Sequence, residues 1–214
     1  MSEISLAILI SGNGSNLQAI IDEIESGKLD ASIKLVISNN SDAYGLQRAQ
    51  KYGITNILID HKNFNEREDF DQKIIEKIDK YNVDLIVLAG FMRILSSKFI
   101  NAFKNKIINI HPSLLPKYPG LDTHRKVIEN KDKEHGVTVH LVDEGLDSGQ
   151  IIGFMSCEVE KTDTEESIET KIHKLEHYLY PAIIRDIQKG KIHLKNNKVF
   201  HNKIVIKNGK KYFN

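Results

Sequence analysis

Apolar residues along this chain come in short runs separated by stretches with helical spacing, and that alternation predicts βαβ units on a parallel sheet. Residues 6–10 read as a buried strand, followed by a glycine turn and a helix over about 16–25 that Gly27 closes. Residues 33–38 predict a second strand, 45–52 a second helix stopped by Gly53, and 57–59 a short third strand. Phe70, Ile74, Ile75 and Ile78 fall on one helical face, so 66–81 is expected to form an amphipathic helix. The strongest central-strand signal is 84–89, which is apolar after its first residue; a short helix over 96–103 and a strand over 106–110 follow. Four βα repeats leading into a fifth strand predict a doubly wound sheet.

Beyond His111 the pattern changes. Pro112, Pro116, Pro119 and Gly120 fall close together and predict a long, stiff loop, which inside a compact domain is usually functional. A short helix (123–129), two strands (137–142 and 151–159) and a long helix (164–188) are expected next, the last kinked or broken at Pro181. Asn196-Asn197 and Asn208-Gly209 mark the turns of a terminal β-meander.

Composition adds bounds. The 214 residues suffice for one well-buried core, and the hydrophobic and charged fractions, 40% and 28%, are those of an ordinary globular protein. The first apolar run is too short to span a bilayer, and a single cysteine, Cys157, leaves no internal disulfide or cysteine-cluster zinc site; both lead to a cytoplasmic expectation. Residues 189–214 hold eight of the 30 basic residues and none of the 29 acidic ones, so the first 188 carry a net charge of −7. Such a tail could touch an anion, but it also reads as a sheet edge blunted with lysine, and no arginine cluster or aromatic series accompanies it.

Three stretches carry candidate chemistry. Ser11-Gly12-Asn13-Gly14-Ser15-Asn16 joins the first strand to the first helix, where glycines admit a ligand and the helix N-terminus attracts an anion. A dinucleotide fingerprint would need glycine at Leu17 and an acid near Ser38-Asn39-Asn40, and a triphosphate loop would need a lysine. A single phosphate at Gly14, Ser15 and Asn16 remains, beside the plainer alternative of a turn in which Ser15 or Asn16 caps the helix. Gly90-Phe91-Met92-Arg93-Ile94-Leu95 follows the central strand and suits a flat heterocycle, or simple core packing. Asn109 and His111, two apart on a strand, share a face just where Pro112 ends it. An amide and an imidazole side by side suit acyl transfer, in which a carbonyl oxygen becomes negative and a proton moves. A carboxylate such as Asp147 would favour the charged histidine. The same residues also read as a half-buried polar pair and a turn aspartate capping Gly149.

Taken together, 11–20, 88–95, 108–121 (Ile-Asn-Ile-His-Pro-Ser-Leu-Leu-Pro-Lys-Tyr-Pro-Gly-Leu) and 143–149 (Asp-Glu-Gly-Leu-Asp-Ser-Gly) resemble the phosphoribosylglycinamide formyltransferase family, folate-dependent enzymes of purine synthesis. The motifs stand in that family's order and the likeness runs from about Ile4 to Gly190. It implies a Rossmann-like α/β fold, doubly wound and mostly parallel, with helices on both faces and a small C-terminal β-meander. Residues 1–190 would be the catalytic domain and 191–214 an extension of it. The implied reaction moves the formyl group of 10-formyltetrahydrofolate, a co-substrate, to the glycine amine of glycinamide ribonucleotide, without a metal. Asn109 and His111, as imidazolium, would hold the oxyanion, and Asp147 would raise the histidine pKa and help a water carry the proton. Gly14, Ser15 and Asn16 would bind the substrate phosphate and Glu176 its ribose. Arg67, Met92, Arg93, Ile94, Leu95, Asn109 and the loop Asp143, Glu144, Gly145, Leu146, Asp147 would line the folate site. No nucleic acid or membrane partner is implied, and monomer and homodimer both remain open. Asp122 stands where the family often has histidine, while His124 remains. The alternatives are a formyltetrahydrofolate hydrolase and a non-catalytic phosphosugar- or folate-binding protein.

Overall fold

The computed structural model describes residues 2–213, which fall into two compact units dividing after Asn109. In the first, β1 (Ile4–Ile10), α1 (Ser15–Glu25), β2 (Ala31–Ser38), α2 (Tyr44–Lys51), β3 (Asn56–Leu58), α3 (Arg67–Ile78), β4 (Leu85–Leu88) and α4 (Ser97–Ala102) follow in order, and the division falls within the next strand, β5 (Ile107–His111). The strands lie β5-β4-β1-β2-β3, all parallel. The chain therefore winds outward from β1 to β3, then returns to β1's other side. Right-handed crossovers then put α1 and α2 on one face and α3 and α4 on the other, and these helices pack as those two pairs. β1, β2 and β4 are apolar runs because both faces of the sheet are covered; residues 6–10, 35–37 and 85–88 are buried.

The order reverses between β1 and β4, and there the loops that follow these strands meet. Ser11 donates its N–H to the Gly90 carbonyl at 3.0 Å, and its hydroxyl accepts the Met92 N–H at 2.8 Å. Open α/β sheets bind ligands at such a switch point.

The second unit holds α5 (Thr123–Glu129), β6 (Glu134–Leu141), β7 (Ile151–Glu158), α6 (Glu165–Gln188), β8 (Ile192–Lys195), β9 (Lys198–His201), β10 (Ile204–Val205) and β11 (Lys210–Lys211). β6 and β7 are antiparallel, and α6 packs against both. Thr164 and Ser167 form a reciprocal capping box at the start of α6, stabilising it by about 1 kcal/mol.

Three expectations are corrected here. α6 runs unbroken through Pro181: the lost ladder bond costs roughly 3 kcal/mol. Burial of Tyr180, Ile183 and Ile184 around it, at about 1.5–3 kcal/mol per large apolar side chain, outweighs that. β6 starts three residues earlier than the apolar pattern indicates, since Gly136 lies hard against Leu114 and the Met155 carbonyl, where no side chain fits. Third, only β8, β9 and β10 form the antiparallel meander. Asn208-Gly209 instead turns the chain into β11, which pairs parallel with β7, and Tyr212 donates its hydroxyl to Asp186 of α6 at 2.7 Å. The tail's lysines meet acids of this unit: Lys191 and Lys210 face Asp186, and Lys211 faces Glu134.

Candidate active site

β5 carries Asn109 and His111 two residues apart, so the strand's alternation turns both side chains the same way. His111 is buried. Its Nε2 lies 2.8 Å from the Tyr118 carbonyl, so Nε2 carries a hydrogen and donates it there. Nδ1 lies 3.4 Å from Asp147 Oδ2. With its hydrogen committed at Nε2, a neutral ring carries its lone pair on Nδ1. Burial pulls the His111 pKa below the usual histidine value, and the Tyr118 carbonyl and the Asp147 carboxylate, which both pull upward, do not make up the difference. The carboxylate thus acts in the expected direction, against the larger effect of burial.

Asp147 adopts a left-handed conformation (φ 49°) in the 143–149 loop. Oδ2 accepts the Gly120 N–H at 2.8 Å, and Oδ1 lies 3.6 Å from Nε2 of a second buried histidine, His140. His140 Nδ1 donates to the Leu141 carbonyl at 2.7 Å. Burial raises the Asp147 pKa, but the neighbouring His140, the Gly120 N–H and His111 more than offset it, so the group stays below its ordinary value and ionised. The turn-aspartate alternative is not what forms: the carboxylate faces His111, His140 and Gly120. His140 and the Tyr118 carbonyl went unnoticed in the sequence. The first sits on β6, far from the motif, and a main-chain oxygen leaves no residue signature.

Both loops around this cluster are braced. Thr138 of β6 donates to the Ser113 carbonyl at 2.6 Å and accepts the Leu115 N–H at 3.1 Å. Asp143 holds the following loop by accepting from the Gly145 N–H and the Ser148 hydroxyl. Glu144 lies in the same turn, Leu146 is exposed, and Glu176 is buried midway along α6. Asp122 precedes α5 and spends its carboxylate on Arg125 at 2.8 Å, in an ion pair half open to solvent.

In the first unit, Gly14 caps α1 with φ 74° and no side-chain hydrogen bond, and no acid occupies the first turn. Neither Ser15 nor Asn16 caps the helix; both sit inside it, at the end where the helix dipole favours negative charge. Gly14 must be glycine because a Cβ would stand 2.7 Å from the Gly45 Cα. In the adjoining loop Phe91 and Leu95 are core, whereas Met92 and Ile94 are 67% and 62% exposed. Core packing and an open apolar face thus share one loop. Buried Asp71 of α3 fixes its far end by accepting the Ser96 N–H at 2.6 Å. Arg67 opens α3 and pairs loosely with Glu68 at 3.6 Å, and Arg93 is exposed. Among the described residues, no helix is long and apolar enough to cross a membrane and no cluster of His, Cys, Asp or Glu is set to hold a metal.

A family profile described as formyl transferase matches residues 4–184. The chain is 45% identical over 193 residues to the phosphoribosylglycinamide formyltransferase of Escherichia coli (strain K12), covering 90% of this chain and 91% of that one. It is also 39% identical over 192 residues to the human trifunctional purine biosynthetic protein adenosine-3, of which it covers 19%. Among solved structures, the phosphoribosylglycinamide formyltransferase of Coxiella burnetii matches with a TM-score of 0.94 and 43% identity, over 99% of this chain and 100% of that one. The profile runs from β1 into α6 and the bacterial relatives are covered almost end to end: the chain belongs to the formyl transferase family.

Proposed function

We propose that this formyltransferase moves the formyl group of 10-formyltetrahydrofolate to the glycine amine of glycinamide ribonucleotide. The observation that carries this reading is buried His111, with Nε2 fixed by a carbonyl and Nδ1 turned to an ionised Asp147, on the strand that also bears Asn109. The likeness to relatives named for that activity supports the choice of substrate.

The neutral amine attacks the formyl carbon, and the new C–N bond pushes the carbonyl electrons onto oxygen. The Asn109 amide and the His111 ring hold that oxyanion; one such donor is commonly worth about 10²–10³ in rate. The resting ring is neutral, so the imidazolium forms with the reaction: the proton leaving the attacking amine passes through water held at Asp147 onto Nδ1, whose new N–H then holds the oxyanion. Collapse breaks the bond to the folate nitrogen. The imidazolium gives up the same proton, which passes through that water to the folate nitrogen, so the ring returns to its neutral form and atoms and charge balance.

The amides at Gly14, Ser15 and Asn16 take the substrate phosphate and Glu176 the ribose hydroxyls. The folate is assigned to Arg67, Met92, Arg93, Ile94 and Leu95 and to the loop Asp143, Glu144, Gly145 and Leu146, of which Met92, Ile94 and Leu146 are exposed apolar side chains of the kind that contact a pterin. Free Cys157 suits a cytoplasmic enzyme.

The test is turnover of purified protein on 10-formyltetrahydrofolate with and without glycinamide ribonucleotide. Free tetrahydrofolate should appear only with the ribonucleotide, and Asp147→Asn should slow it about 100-fold or more. Release at an equal rate without the ribonucleotide would make the protein a hydrolase, and no turnover with either would leave a binding protein.

A further inference from the structure

We infer that Asp132 is a positioning residue for His111: by gripping the Tyr118 side chain it holds the Tyr118 carbonyl on Nε2 and so decides which ring nitrogen faces the reaction. The inference rests on the reading of His111 as the oxyanion-holding group.

Tyr118 is held in a conformation it would not choose. Its φ is 55°, the left-handed region that a bulky side chain avoids, and it precedes Pro119, which pushes the preceding residue toward extended backbone. Something must hold it there, and its side chain shows what. The phenol donates to Asp132 Oδ2 at 2.9 Å. The neighbouring Lys117 reaches both oxygens of the same carboxylate at 3.1 Å, with its ammonium 5.9 Å from the Tyr118 ring centre. One carboxylate therefore grips two consecutive residues of the loop, while the buried Ser113 hydroxyl holds the Lys117 carbonyl at 2.6 Å.

Asp132 is itself fixed. It follows the end of α5, where Lys131 turns left-handed and the Asp132 N–H returns to the Val127 carbonyl at 3.1 Å. The Asp132 side chain is 18% exposed, shielded enough to keep its partners. A chain of direct contacts thus runs from the α5 terminus through Asp132 and Tyr118 to His111 Nε2. With a hydrogen committed at Nε2, the neutral ring must present the Nδ1 lone pair toward Asp147, the arrangement in which it can take up a proton. Without the grip, Tyr118 is free to relax to ordinary backbone and withdraw its carbonyl, and the hydrogen can move to Nδ1 to satisfy the carboxylate.

The ring's tautomer is read by long-range ¹H–¹⁵N spectra of the full-length protein, with His111→Asn identifying the signals. The wild type should show the Nε2–H form. Tyr118→Phe and Asp132→Ala should shift the ring toward a mixture and lower kcat about tenfold with KM nearly unchanged. Asp132→Asn, which keeps an acceptor for the phenol, should restore the wild-type spectrum and most of kcat. Tyr118→Phe removes only a hydroxyl, so it serves where the alanine variant fails to fold. Unchanged His111 signals in both variants would overturn the inference. Changed signals with unchanged kcat would support it and defeat the catalytic reading of His111 instead.

Discussion

His111 and Asp122 show how differently two residues of one loop system can be charged with consequence. The histidine is enclosed, and each ring nitrogen has a defined neighbour. Asp122, eleven positions on, takes a left-handed φ of 60° that aspartate and histidine both tolerate, and its carboxylate answers Arg125 in a pair half open to water. Such pairs are worth about 0–1 kcal/mol. Asp122→His should therefore retain kcat within about threefold and melt within a few degrees of wild type, as steady-state rates and a thermal scan would show. A loss of two orders of magnitude would move Asp122 into the catalytic set. At this scale the sequence carried the side chains proposed to act on substrate, because Asn-x-His and a downstream aspartate have a recognisable spacing. It was silent on Tyr118, which contributes a carbonyl that any residue owns. It was silent too on His140, whose place opposite Asp147 exists only once β6 is laid down.

Among the elements, the start of α1 has its chemistry written most directly into backbone shape. Gly14 is left-handed and touches Gly45 through bare backbone, with the Gly45 N–H on the Gly12 carbonyl at 3.1 Å. An alanine at 14 would meet both a left-handed penalty of about 1–2 kcal/mol and a 2.7 Å clash with the Gly45 Cα. Gly14→Ala should lower unfolding free energy by roughly 2 kcal/mol or more, measured in urea. It should also raise KM for the ribonucleotide more than tenfold, and that for the folate far less, because the amides of Ser15 and Asn16 move with the helix start. Equal increases in both constants would remove the phosphate role from this turn. Elements of the first unit could be read because buried parallel strands are plain apolar runs. The misreadings fall where tertiary contacts override local pattern: Pro181 carried inside a buried helix, Gly136 admitted to a strand by tight packing, and β11, whose two lysines join β7 although their composition indicates solvent.

Over the whole molecule, buried histidines tie stability to acidity. His124 of α5 and His135 of β6 face each other at 3.0 Å, Nδ1 to Nε2, so one must donate and the other accept, and the two rings have no room for two charges. Burial first, then the His124 ring, pulls the His135 pKa down to about 4, and burial also lowers His124 and His111. The sign follows from proton counting. An unfolded chain takes up each proton near pH 6.5, whereas the folded one takes it up at a lower pH, so between those values the unfolded state binds more protons and stability rises with pH. For His135 alone the window runs from about 6.5 down to about 4, and crossing it on acidification removes about 3 kcal/mol. Urea unfolding of the wild type should thus weaken steadily from pH 7 to pH 4.5. In His135→Gln the same acidification should cost about 2–3 kcal/mol less, whatever uniform offset the substitution brings. A variant that lost stability as steeply as wild type would show that His135 is already protonated in the folded state. Two charged rings would then stand 3.0 Å apart, unless His124 stayed neutral to accept a hydrogen bond. That arrangement would shift the pH-sensitive group from β6 to the strand end at His111, and acid lability would become a property of the active site rather than of the scaffold beside it.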